Sequence, residues 1–158
     1  MHPSTGRRHG FTAVEVAIVI AILSLLAAVA IPQIAARKLQ GQTTELVGHL
    51  GLLRSAVNRY WTQHDGFPGP DVATIRQQLC GQTSRAGICG SGEEFTLGPY
   101  LEGEIPESPV TGTSTLRVVD AMPPSADGTS AWIYCRVTGE VRSNLAGKTD
   151  DGVPYFDL

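Results

Sequence analysis

Positive charge is scarce in this sequence. Twelve Lys and Arg stand against fifteen Asp and Glu, a formal charge of −3 over 158 residues. Bulk electrostatics therefore give no basis for nucleic-acid binding, and no nucleic-acid partner is expected. Cysteine is limited to Cys80, Cys89 and Cys135, with no C-x-x-C pair and no histidine near either end of the Cys80–Cys89 loop. That excludes a zinc site of the usual spacing. Ser, His and Asp all occur, but no motif frames a nucleophile, so an enzyme is not expected. His49 and His64 are isolated, which suits packing or surface roles better than catalysis. Length allows one globular domain besides a separate apolar segment.

What the sequence does have is one long apolar run, residues 11–31, interrupted only by Thr12, Glu15 and Ser24. As a helix it reaches about 30 Å at ~1.5 Å per residue, enough to span a bilayer core. A carboxylate at the centre of such a span costs ~2.5–3.5 kcal/mol and is usually kept for function. Glu15 lies in the first turns, where the helix dipole favours a negative group. If the chain were cut after Gly10, the new α-amine of Phe11 would stand four residues from Glu15, on the same helix face. Cation and anion would then seek partners in their own helix or a neighbouring one, which turns an insertion cost into an assembly rule.

The segment Arg7-Arg8-His9-Gly10-Phe11-Thr12-Ala13-Val14-Glu15 resembles the processing site of type IV pilins and of the pseudopilins of type II secretion systems. The resemblance implies cleavage after Gly10 by a prepilin peptidase, methylation of Phe11, and a role for Glu15 in docking into a filament. Two other readings compete. A secretory signal would use Ala28-Val29-Ala30 as its cleavage site, but Glu15, Pro32 and the length of the run, beyond the usual ~7–15 residues, speak against it. In a plain signal anchor Glu15 would only be tolerated. Arg7-Arg8 alone fits twin-arginine export poorly. The basic leader places the following domain outside the inner membrane. Loss of Arg7 and Arg8 with the leader would take the charge from −3 to −5.

Pro32 is expected to kink or loosen the helix. Helical periodicity then resumes, with Leu39, Leu46, Leu50, Leu53, Val57 and Tyr60 forming one apolar seam. This predicts a bent helix over residues 11–64. A proline at this position and an S-shaped helix are also what the pilin resemblance implies. Gly41, Gly48 and Gly51 weaken the second half by ~1 kcal/mol each relative to Ala. They suit either close approach of neighbouring helices or flexibility tolerated because the sheet packs over them.

Residues 64–70 form a helix stop. Asp71 is placed to cap a short helix over residues 72–79, with Ile75 and Leu79 on one side. Residues 80–98 read as a loop. Strands are expected at 116–120, 131–137 and 140–143, the last two joined by a Thr138-Gly139 turn. The middle strand alternates, with Ala131, Ile133, Cys135 and Val137 on one face and Trp132, Tyr134 and Arg136 on the other. Gly98-Pro99-Tyr100-Leu101, Ile105-Pro106, Trp132-Ile133-Tyr134 and Thr138-Gly139-Glu140-Val141 are also similar to pseudopilin-like proteins, less specifically than the N-terminus.

Cys80 and Cys89 flank a short loop and are the preferred disulfide pair in an oxidising space, although three pairings are open. Cys135 is expected to be a buried thiol. Asp120, Asp127, Asp150 and Asp151 are the carboxylates that could ligate calcium, with Asp150 and Asp151 as the candidates. Major type II pseudopilins carry a calcium site, but their Asp-Pro-Trp-Gly segment is missing here. Ser108-Pro109-Val110-Thr111-Gly112 stands near its place. No other cofactor is expected.

The expected fold is α+β and pilin-like: a long bent N-terminal helix, transmembrane in its first half, packed on a small antiparallel sheet. The domains are a leader (1–10), a transmembrane assembly helix (11–31), its amphipathic continuation (32–64) and a periplasmic α+β region (65–158). The expected role is a structural pseudopilin of a type II secretion filament, single-pass in the bacterial inner membrane. Its partners would be the prepilin peptidase, other pseudopilins, the inner-membrane assembly platform and membrane lipid. A type IV pilus or DNA-uptake pilin is the alternative within the family. A membrane-anchored binding module that never polymerises is the alternative outside it.

Overall fold

The computed structural model describes residues 12–158, with residues 29–39 described in backbone only. The chain divides into two compact units, Met1–Lys38 and Leu39–Leu158. Helix α1, Ala13–His64, belongs to both. Its helical assignment continues through Pro32, the expected kink, whose side chain lies outside the described residues.

In the second unit the apolar seam of α1 becomes the floor of the core. Leu46, Leu50, Leu53, Val57 and Tyr60 are buried, together with Ala56. The helix stops at Asp65, whose backbone enters the left-handed region (φ 55°) while its N–H still donates to Trp61 O at 2.9 Å. Aspartate tolerates this conformation better than most side chains. Helix α2, Val72–Cys80, starts as expected: Asp71 Oδ1 accepts from the N–H groups of Ala73 and Thr74 at 2.9 and 3.1 Å. Ile75 and Leu79 of α2 are buried in the same core. Gln78 is also buried, and it ties two loops by accepting from Gly69 N and donating to Gly87 O.

The sheet has three strands, β1 Leu116–Val119, β2 Trp132–Cys135 and β3 Val141–Ser143, in the order β1-β2-β3. It is mixed, which corrects the expected antiparallel sheet. β2 and β3 are antiparallel, but β1 runs parallel to β2, with Leu116 opposite Trp132 and Val119 opposite Cys135. The reason lies in the connection. Residues 120–131 carry Pro123 and Pro124 and number a dozen, long enough for the crossover that parallel strands need. The β2–β3 link closes tightly at Gly139, where φ is 73° and the N–H donates to Cys135 O at 2.8 Å. A Cβ there would lie 2.2 Å from the Phe67 ring, so this turn needs glycine for conformation and for space.

The alternation expected along β2 does not separate a wet face from a dry one. All four residues are buried. Trp132 and Tyr134 join the helix-facing core, and Trp132 Nε1 donates to Pro106 O at 2.8 Å. Ile133 and Cys135 are also buried, Cys135 Sγ lying 3.4 Å from Asp120 O. Val137 lies past the end of the strand and is 64% exposed. A 3₁₀ turn at Tyr155–Asp157 packs Tyr155 and Phe156 inward.

Polar contacts fix α1 to the loops above it. His64 Nε2 lies 2.9 Å from Tyr100 Oη and 3.1 Å from Thr83 Oγ1, and Tyr100 Oη donates to Gln63 Oε1 at 2.7 Å. Thr83 is fully buried and pairs with both Cys89 and Leu97, giving the 80–98 loop an internal frame. Burial pushes the Tyr60 hydroxyl pKa up to about 12, so its neutral form is the one that packs here.

The expected transmembrane first half, and with it the single-pass inner-membrane location, is corrected. Among the described residues, no helix is long and apolar enough to cross a membrane.

Candidate assembly surface

Glu15 is held by its own helix start. Thr12 N and Thr12 Oγ1 both donate to Glu15 Oε2 at 2.8 Å, and Glu15 N donates back to Thr12 Oγ1 at 3.2 Å. This is a capping box, in which residues three apart satisfy the orphan donors of the first turn reciprocally. Thr12 is thus the residue that holds Glu15 in place. The T-x-x-E pattern before an apolar run was the available signal. The box fixes the carboxylate at the N-terminal end of α1, where the dipole favours it.

Beyond the box the helix surface is apolar on every side. Val14, Val16, Ile18, Val19, Ile20, Ile22, Leu23, Leu25 and Leu26 are all exposed, Leu25 by 75%. Ser24 satisfies its hydroxyl within the helix, donating to Ile20 O at 2.7 Å. A helix with no polar face requires apolar cover on all sides. Among its described residues the first unit therefore offers one fixed carboxylate at the start of α1 and an apolar cylinder after it.

The second unit presents a different surface on α1. Gly41, Gly48 and Gly51 lie away from the core, and a Cβ added at any of them would meet nothing within 4 Å. The sheet does not pack over them, which corrects that explanation of these glycines. Val47 and Leu52 are exposed beside them.

The remaining expected site residues fall apart rather than together. Gly10 and Phe11, the cleavage and methylation residues, lie outside the described residues. The expected Cys80–Cys89 bridge is absent, and all three cysteines are free thiols. Cys80 closes α2 near Arg76 and Glu104, while Cys89 lies opposite Thr83, near Tyr60; burial raises the pKa of both thiols. Asp150 and Asp151 are exposed in the C-terminal loop, beside Thr43 and Thr44. Among the described residues, no group of three or more His, Cys, Asp or Glu side chains is placed to hold a metal ion. His49 serves as a strut, its Nδ1 2.7 Å from Glu107 O.

Compared with known proteins, the chain matches no family model, no curated protein and no solved structure.

Proposed function

We propose that this chain is a structural subunit of the pseudopilin type, cut after Gly10 by a prepilin peptidase, methylated at Phe11 and assembled into the short filament of a type II secretion system. One observation carries the reading: a carboxylate fixed by a capping box heads α1, whose first turns, residues 16–28, are apolar on all sides and exposed. Packing against the same segment of other subunits supplies the cover that this surface requires. In such a bundle the Phe11 amine and Glu15 set the stagger between neighbours, because each would otherwise be a buried charge without a partner. The open glycine face of α1 supports the same reading, since small residues let helix backbones approach closely.

The test has two parts, in cells that also express a prepilin peptidase. Gly10→Val is expected to stay at precursor mass by intact mass spectrometry, whereas the parent starts at methylated Phe11. Glu15→Ala is expected to mature normally yet fail to cross-link into ladders through cysteines introduced in the apolar segment. Efficient maturation of the first variant would remove the peptidase from the account. Normal ladders from the second would remove the assembly role of Glu15. A type IV or DNA-uptake pilus subunit shares both results and separates only by the system whose loss abolishes the ladders. A binding module that does not polymerise predicts maturation without ladders for parent and variant alike.

A further inference from the structure

β1 is an edge strand with one side unused. Its ladder to β2 is fixed by Trp132 N donating to Thr115 O and Arg136 N donating to Val119 O, both at 3.0 Å, in parallel register. In a parallel ladder every second residue bonds the neighbour. Arg117 and Val119 therefore serve β2, and the N–H and C=O groups of Leu116 and Val118 turn to the opposite edge. Among the described residues these groups take no backbone partner. A cleft of about 650 Å³ is lined by residues 115–120 of this strand, by Pro70, Asp71 and Val72 at the start of α2, and by Thr129, Ser130 and Arg136, which flank β2.

We infer that this cleft receives an extended peptide segment of a partner protein, which adds a fourth strand to the sheet beside β1. A row of alternating donors and acceptors is matched in full only by another extended backbone. The side chains define the partner's pattern. Leu116 and Val118 are half-buried against the core, so the residues beside them on the incoming strand are apolar. Arg117 lies on the other face, ion-paired with Asp127, and Arg136 pairs with Asp120 at the rim, so the intervening residues are polar. The segment is about five or six residues long, matching the ~3.3 Å rise per residue of a strand.

A second copy of this chain fits less well. The two-fold antiparallel register that uses both Leu116 and Val118 sets Arg117 directly opposite Arg117 of the other copy, and like charges so placed repel. The inference stands apart from the assembly reading, because it concerns only the second unit.

The experiment is residue-resolved amide exchange on the full-length chain in mild detergent, titrated with acetylated eight-residue peptides alternating valine with threonine or glutamate. The expected result is slowing of exchange at Leu116 and Val118 by about tenfold or more, with Arg117 and Val119 unchanged because β2 already protects them. Peptides N-methylated at alternate residues, which lose one edge's donors, are expected to give no slowing. Val118→Pro removes a donor from the edge where proline is tolerated in strands, and is expected to abolish the effect with the melting transition retained. The inference is overturned if no peptide of the panel protects Leu116 and Val118, or if the N-methylated peptides protect equally. It is also overturned if protection rises with protein concentration alone, which would assign the edge to a second copy.

Discussion

Gly139 shows how much of this fold rests on single side chains, or on their absence. Its φ of 73° and the 2.2 Å approach of the Phe67 ring mean that Gly139→Ala meets strain and a clash together. We expect a loss of at least ~2 kcal/mol in urea unfolding, with the ring forced aside. Asp127 is a second such position. Thr129, through its backbone N–H and hydroxyl, and the Asn144 amide hold its carboxyl at about 2, below its ordinary 3.8. The folded pKa is depressed, so the stabilising contribution is complete above the unfolded value and is lost as pH falls from about 4 through about 2. Asp71 and Asp120 are lowered in the same sense, by the Thr74 N–H and by Arg136 respectively. The urea midpoint should therefore fall as pH drops below 4, and Asp127→Asn should flatten that fall. An Asn variant as acid-sensitive as the parent would remove Asp127 from the explanation.

Helices were far more legible than the sheet. The seam from Leu46 to Tyr60 and the Asp71 cap could be read directly, because both are local patterns of three and four residues. The direction of β1 could not, because it depends on how residues 120–131 cross the sheet rather than on any pattern within the strand. The burial of both faces of β2 was hidden for a related reason: alternation within a strand says nothing of the chain that buries Ile133 and Cys135 on the second face. At the assembly surface, Glu15 stood out as a charge in an apolar run, while Thr12 hid as an ordinary threonine. The glycines of α1 give a test that separates folding from assembly. With open space around each, Gly48→Ala and Gly51→Ala should raise the helix's own stability by about 1 kcal/mol apiece, seen as a higher melting temperature of the unassembled protein. Gly51→Leu should keep that stability and still weaken subunit ladders. Ladders unaffected by Gly51→Leu would place the subunit contact on another face.

The two units differ in what they need in order to be stable. The unit from Leu39 onward holds a core from α1, α2, all three strands and the final 3₁₀ turn, and it includes Trp132 and Tyr134 in nearly complete burial. The described part of the first unit buries none of its large apolar side chains. A domain with its own core folds alone, whereas an apolar helix without cover associates. A fragment of residues 39–158 should therefore unfold in one cooperative transition that does not depend on protein concentration, and sediment as a monomer. The full-length chain should show the same transition in the second unit, followed by the fluorescence of Trp61 and Trp132, while sedimenting as larger species whose size falls with added detergent. Substituting Leu25 and Leu26 by serine should shift the full-length chain toward monomer and leave the tryptophan fluorescence transition in place. If the fragment fails to fold, the second unit draws essential stability from residues before Leu39, and the division of labour between a folding unit and an assembling helix does not hold.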